Sequence, residues 1–297
     1  MENEPLEAKE EKKSDKKKKK NWILYVLLVL SAASVLTFGV LLGIELYTNW
    51  QSQSYYSNLS SGIATRPREP GYSRPPTSTG GNADAGASGG AGDAGGAGEP
   101  DEPGDIFVWE PYVDFELLRE NFPGIVGWIK LEGTQIDYPV MQAENNWYYL
   151  GRLPDGTSHR SGSVFLDYRN SNDFSDKSML IYGHYSRTHD MFGALEDYRK
   201  KGFYDEHPVI YLYTPERDYE MVLIAGYLVD SGVGAEVPPL RFRDDDAFLS
   251  HIEKIKRLSF FTSGVEVGPD DRIVSLATCA YDFTNARLII VGKLVEF

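Results

Sequence analysis

The 297-residue chain has one cysteine, five histidines and a shortage of basic charge, with 30 Lys and Arg against 44 Asp and Glu for a formal charge of −14. A single cysteine excludes an internal disulfide framework and any cysteine-rich zinc site. The acidic balance argues against a nucleic-acid binder, which needs a basic face to neutralise phosphates. The histidines stand at 159, 184, 189, 207 and 251, and no pair has metal-ligand spacing. No cofactor and no metal are expected. What is plentiful is apolar sequence: 41% hydrophobic and 13% aromatic residues are enough to build a packed core.

The composition is uneven along the chain. Residues 1–21 form a Lys-rich tail ending in the unbroken run from Lys16 to Lys20. An apolar segment follows, uncharged from Ile23 to Ile44. At about 1.5 Å per residue it makes roughly 33 Å of helix, enough for a bilayer core of about 30 Å. Trp22 and Tyr25 at one end, and Tyr47 and Trp50 at the other, suit the two interfacial aromatic belts. Residues 22–47 therefore read as a transmembrane signal anchor. The Lys run predicts a cytoplasmic N-terminus and an extracellular remainder. A cleaved signal peptide is the alternative, because Ser31-Ala32-Ala33 supplies small residues. Apolar sequence nevertheless continues about ten residues further, longer than an ordinary signal core.

Residues 48–104 read as a flexible Gly/Pro/Ala-rich linker. Nine of the nineteen residues from Gly80 to Gly98 are Gly, so that stretch has almost nothing to bury. From 105 to 297 the texture is that of one extracellular domain. An N-terminal helix is expected over 111–121, ended by Pro123-Gly124. Short β-like runs then dominate, at 125–131, 136–141, 163–167, 179–182, 209–213, 219–229, 273–278 and 288–295. They are rich in Val, Ile, Tyr and Phe and bounded by turn residues. A short helical stretch is expected at 191–195 and a longer helix at 244–258, with Phe248, Ile252 and Ile255 on one stripe. About eight strands with few helices predict a mainly β fold, a closed or nearly closed barrel.

The lone thiol, Cys279, ends the apolar run Ile273-Val-Ser-Leu-Ala-Thr-Cys279, where a polar loop begins. A buried, inert cysteine is one reading, because free Cys is among the most buried residue types. A reactive thiol is the other, because an unpaired Cys is unusual outside the cell and a strand end opening into a loop reaches solvent. His184 likewise ends an apolar run, Met179-Leu-Ile-Tyr-Gly-His184. It reads either as a structural histidine or as a base beside a permissive Gly183. Arg287 opens the last strand, eight residues after Cys279. Pairing of the last two strands returns it near the thiol, where a guanidinium favours thiolate and can donate to an oxyanion. Otherwise it is a surface Arg at a strand edge.

Together these residues resemble a known family. Ser275-Leu-Ala-Thr-Cys279 with Tyr281-Asp-Phe283, Arg287 and Gly292-Lys-Leu294 is similar to the signature of class B sortases, as is Tyr182-Gly-His184 followed by Met191-Phe192 and Leu195. Gly127-Trp-Ile, Gly133-Thr-Gln-Ile-Asp-Tyr-Pro-Val140, Asn146 with Tyr149-Leu150, and Phe165-Leu-Asp-Tyr-Arg-Asn170 occur in the family's order. The likeness covers about 108–297. Ser275 departs from the Thr the family commonly has.

The resemblance implies a sortase-type barrel and a cysteine transpeptidase at the surface of a Gram-positive cell. It assigns Cys279 as nucleophile, His184 as general acid/base and Arg287 as oxyanion stabiliser, with Thr278 and Tyr281 bordering the substrate. A surface protein would be cut after the Thr of a C-terminal sorting signal and passed, through an acyl-thioester, to an amine of a peptidoglycan precursor or a pilin lysine. Two other readings are a Cys/His cell-wall peptidase, a hydrolase with the same nucleophile and base, and a non-catalytic binding module on a membrane stalk.

Overall fold

The structure, a computed structural model, describes residues 6–63, 113–186, 188–230, 232, 238–279 and 285–297, with 6–21 and Cys279 described by their backbone. These fall into two units, an N-terminal helical one and the domain that carries the strands.

Helix α1 runs from Leu6 to Ile63. It is the one helix among the described residues long and apolar enough to cross a membrane, with a mean hydropathy of 2.4 in its most apolar window. Hydroxyls within or just beyond the apolar segment are satisfied by the helix's own backbone: Ser31 donates to Leu28 (2.9 Å), Thr37 to Ala33 (2.8 Å) and Thr48 to Ile44 (3.0 Å). Back-bonding of this kind lowers the cost of placing these three hydroxyls in a hydrocarbon setting. The helix also includes 48–63, expected as the start of a flexible linker. No Pro interrupts the chain between Trp22 and Pro67, and from Glu45 to Ser61 there is no Gly either, so nothing in that stretch stops the helix. The rest of the expected linker, 64–104, lies outside the described residues.

The second unit begins with α2 (Phe115–Asn121), capped by Asp114, whose carboxylate accepts from the Leu117 amide at 3.0 Å. Eight strands follow. They are β1 (Ile125–Lys130), β2 (Asp137–Met141), β3 (Val164–Leu166), β4 (Ser178–Tyr182), β5 (Val209–Tyr213), β6 (Asp218–Asp230), β7 (Ile273–Cys279) and β8 (Ala286–Glu296). They close into a barrel in the order β1-β2-β3-β4-β7-β8-β6-β5. The pairs β2–β3 and β4–β7 are parallel and the others antiparallel. Closure leaves no open sheet edge.

Short helices α3 (Trp147–Leu150) and α4 (Phe203–Glu206) sit in the connections. The helical stretch expected at 191–195 is a 3₁₀ helix two residues later, Gly193–Arg199. Met191 has a positive φ of 51°, which a right-handed helix cannot contain.

Alternate residues along the strands serve two cores. One set, including Met179, Ile181, Val274, Leu276, Leu288 and Ile290, is fully buried in the barrel interior. The other set faces outward. Leu180, Ile273, Ala277, Ile289 and Val291 pack there with Phe248, Ile252 and Ile255 of α5 (Asp245–Leu258). Burying side chains of this size contributes roughly 1.5–3 kcal/mol each. Helix α5 is oriented by its charge pattern, with the Asp244 cap and Asp245 and Asp246 at its start and Lys256 and Arg257 in its last turn. On the far side of β3, a second outer cluster joins Phe115, Leu118, Trp128, Met141 and Phe165.

Candidate active site

Strands β4 and β7 run parallel, so both deliver their C-terminal residues to one rim of the barrel. Their register pairs Leu180 with Ser275, Ile181 with Leu276 and Tyr182 with Ala277. It persists one step beyond β4, where the Gly183 amide donates to the Ala277 carbonyl at 3.1 Å. Carried two residues past Tyr182, the same register brings His184 level with Cys279. On the other side of β7, Cys279 pairs with Arg287 of β8. Neighbouring strands lie about 4.8 Å apart. His184, Cys279 and Arg287 therefore form a row across three adjacent strand ends, with the cysteine in the middle.

Period two also places the three positions on one face. Residue 279 belongs to the set of Ile273 and Ala277, Arg287 to that of Ile289 and Val291, and His184 to that of Leu180 and Tyr182. This is the outward face, which α5 covers further down the strands. Thr278 is not brought to that face. It belongs to the interior set, is 2% exposed, and its hydroxyl has no hydrogen-bond partner among the described residues. Thr278, expected at the substrate border from its place beside the cysteine, thus sits one residue off the row, on the opposite face of β7. Tyr281 lies outside the described residues.

His184 is held by a tight return of the chain. The Phe192 amide donates to its carbonyl at 3.0 Å, and Tyr185 bridges Met191. Positive φ values at His189 and Met191 make this reversal, and the Met191 amide is anchored on the Tyr138 hydroxyl at 2.9 Å. Gly183 is needed for close approach, because a Cβ there would collide with the buried Phe192 ring. The His184 side chain is exposed, yet neighbouring protein desolvates the imidazole enough to hold its pKa below the ordinary histidine value. The negative charge of Asp190 works against that shift, while Arg160 and His159 reinforce it. At neutral pH the ring is mainly neutral and can accept a proton. Arg287 is half-buried, and its Nη1 donates to the Ala286 carbonyl at 3.1 Å, at the start of β8.

A neighbouring cluster was not singled out in the sequence. Fully buried Asp167, just after β3, accepts from Arg169 Nε (2.9 Å), Asn146 Nδ2 (2.9 Å) and the Tyr182 hydroxyl (3.1 Å). The one signal for it is the short spacing of Asp167 and Arg169 within Phe165-Leu-Asp-Tyr-Arg-Asn170. Among the described residues no group of three His, Cys, Asp or Glu is placed to hold a metal ion.

A cysteine position with a histidine and an arginine as its register neighbours brings together residue types that suit covalent acyl transfer: a nucleophile, a proton carrier and a cation for developing negative charge.

No family model matches the chain. It is 35% identical over 184 residues to sortase B of Listeria monocytogenes, covering 61% of this chain and 73% of that protein. It is 34% identical over 187 residues to sortase B of Staphylococcus aureus, covering 61% and 75%. Among solved structures, the S. aureus sortase B–substrate complex superposes with a TM-score of 0.58 at 33% identity, over 61% of this chain and 84% of that one. Sortase B of Clostridium perfringens superposes with a TM-score of 0.58 at 28% identity, over 61% of this chain and all of the other. The closed eight-stranded barrel, the row of strand-end residues and these identities lead to one conclusion: the chain belongs to the class B sortases, which are cysteine transpeptidases.

Proposed function

We propose that this sortase cleaves a C-terminal sorting signal after Thr and transfers the new carboxyl end to an acceptor amine. The supporting observation is the register that sets His184 and Arg287 on either side of Cys279. His184 takes the thiol proton and the Cys279 sulfur attacks the Thr carbonyl carbon. Negative charge on the carbonyl oxygen is met by Arg287, whose planar fork is suited to it. As the C–N bond breaks, His184 gives its proton to the leaving amine, and an acyl-thioester remains. The incoming amine loses a proton to His184 and attacks the thioester, and Cys279 leaves as thiolate. Atoms and protons balance without an added cofactor.

The donor is a surface protein bearing a sorting motif; a solved S. aureus relative is itself a substrate complex, which supports donor binding at this rim. The acceptor is an amine of a peptidoglycan precursor or a pilin lysine. Tyr281, two residues beyond the nucleophile, is assigned to the donor border, and Thr278 to support of the β7 end from inside the barrel. Residues 22–47 serve as an uncleaved anchor, with the Lys-rich tail in the cytoplasm and the barrel outside. A mature protein beginning near residue 34 by N-terminal sequencing would remove that anchor.

The test is mass spectrometry of products from the full chain in detergent, given peptides of the Asn-Pro-x-Thr and Pro-x-Thr-Gly types with and without triglycine or a lysine-bearing peptide. Amine-linked product formed at the expense of hydrolysis supports transfer. Water-cleaved product alone, in equal amount with and without amine, identifies a hydrolase and overturns the proposal.

A further inference from the structure

Asp167 is a fully buried carboxylate in an exposed neighbourhood. Arg169 grips both its oxygens, Nε to Oδ1 at 2.9 Å and Nη2 to Oδ2 at 3.1 Å, and the Arg169 amide adds a third bond to Oδ1 at 3.0 Å. Burial alone would raise its pKa, but these bonds and that of Asn146 hold the carboxyl below the ordinary value, so it stays charged. A buried ion pair of this kind is weak evidence for stability. The other two donors show where the geometry is being spent.

Both reach from the outward face that carries the catalytic row. The Tyr182 hydroxyl donates to Oδ2 at 3.1 Å, and the Asn146 amide to the same oxygen at 2.9 Å. Tyr182 is the register partner of Ala277, two residues before Cys279, and itself lies two residues before His184. Its ring stacks on Phe165 with centroids 5.2 Å apart. Asn146 holds the Tyr168 amide with its carbonyl oxygen at 3.0 Å and stands at the head of α3, whose Trp147 and Leu150 are exposed. The Asp167 backbone is tied to β4 as well, its amide donating to Leu180 at 2.8 Å. One carboxylate thus fixes two polar side chains, from β4 and from the turn before α3, on the β3–β4 flank of the nucleophile. That flank is opposite the Arg287 side.

We infer that Asp167 is a positioning residue for the acyl donor: through the Tyr182 hydroxyl and the Asn146 amide it holds the donor-binding wall beside Cys279 in one geometry, without touching the reacting atoms. This rests on the transpeptidase reading above. Freed from the carboxylate, Tyr182 can rotate off Phe165, and the wall then fits the donor only part of the time. The acceptor half-reaction and the titration of the nucleophile are left unchanged.

The experiment compares wild type, Asp167→Asn, Tyr182→Phe and the double variant as full-length protein in detergent. The substrate is a quenched peptide, of the Asn-Pro-x-Thr or Pro-x-Thr-Gly type, that the wild type cleaves. KM for donor and for amine, kcat, and the pH profile of Cys279 alkylation are read separately. Tyr182→Phe removes one hydroxyl and leaves the Arg169–Asp167 pair intact, so it keeps the test decisive where Asp167→Asn fails to fold. The expected result for Tyr182→Phe is a donor KM raised about fivefold to tenfold, the worth of one lost hydrogen bond, with amine KM and alkylation profile unchanged. Asp167→Asn, which also weakens the hold on Asn146, shifts the same constant at least as far, and the double variant stays within about twofold of Asp167→Asn, because the Tyr182 hydroxyl acts only through Asp167. A wild-type donor KM in Tyr182→Phe, or effects that multiply in the double variant, overturns the inference. Activity surviving in Cys279→Ala would instead sink the transpeptidase reading, so the two failures are distinct.

Discussion

Cys279 and Arg287 are direct antiparallel partners on β7 and β8. Their backbones are therefore linked through the barrel's ladder, with Cα atoms about 4.5–5.5 Å apart, and not through the connecting loop alone. The ladder itself sets the arginine opposite the cysteine position. Arg287→Lys keeps the charge but loses the planar fork. It is expected to lower kcat about 100-fold, the usual effect of losing one oxyanion donor. The folding midpoint should hardly move, because the Arg287 side chain's hydrogen bond among the described residues goes to its neighbour's carbonyl. Single-turnover acylation rates measure this; a rate within threefold of wild type would show that Arg287 does not meet the oxyanion.

Gly183 is the close contact that sets the height of His184. Adding a methyl at Gly183 drives it into the buried Phe192 ring, and overpacking of this kind costs about 1–3 kcal/mol. Gly183→Ala should lower unfolding stability by that amount and reduce acylation further than the folded fraction explains. Phe192→Leu in the Gly183→Ala background should recover part of the stability. Denaturant titrations beside activity decide it, and a Gly183→Ala protein equal to wild type in both would show the contact to be soft.

Desolvation holds the His184 imidazole below its ordinary pKa, and the buried Asp190 carboxylate opposes that shift. Removing the negative charge in Asp190→Asn must lower the His184 pKa further, since less attraction remains for the imidazolium. An acid limb of kcat/KM set by His184 should move to lower pH with it. Titration of the His184 ring by NMR reports the sign directly; an upward shift would contradict this account.

His251, on α5, is a second desolvated imidazole, with its pKa pushed down to about 4 by burial and by Lys254. Its Nε2 has no hydrogen-bond partner among the described residues, and the ring lies tilted on Phe242. The native state resists protonation here while the unfolded chain protonates near pH 6.5. Stability is thus complete above pH 6.5 and lost as the pH falls from there towards 4. His251→Leu removes this linkage. Between pH 7 and pH 4.5 it should lose about 2 kcal/mol less than wild type in chemical denaturation. Equal losses in the two proteins would mean that His251 stays solvated.

The barrel was readable because its strands are short apolar runs rich in β-branched and aromatic residues, cut by Gly, Pro, Asn and Asp. Each expected run overlaps an observed strand. Helix α5 was readable from the spacing of Phe248, Ile252 and Ile255 and from its acidic start. The parallel pairing of β4 with β7 was not, because the two strands lie some ninety residues apart and only folding brings their ends level. The placement of Thr278 was available from period two alone: if 279 faces outward, 278 faces the interior. Asp167 was hidden for a different reason, since its donors come from 146, 169 and 182, and no local pattern joins them.

The most direct measurement is intact-mass spectrometry of the full chain quenched during turnover of a sorting peptide in the absence of amine. The expected result is a covalent adduct with the mass of the acyl fragment, mapped to the peptide containing Cys279, absent from Cys279→Ala and discharged on adding triglycine. Turnover of the peptide by Cys279→Ala, or an adduct on any other residue, would contradict it.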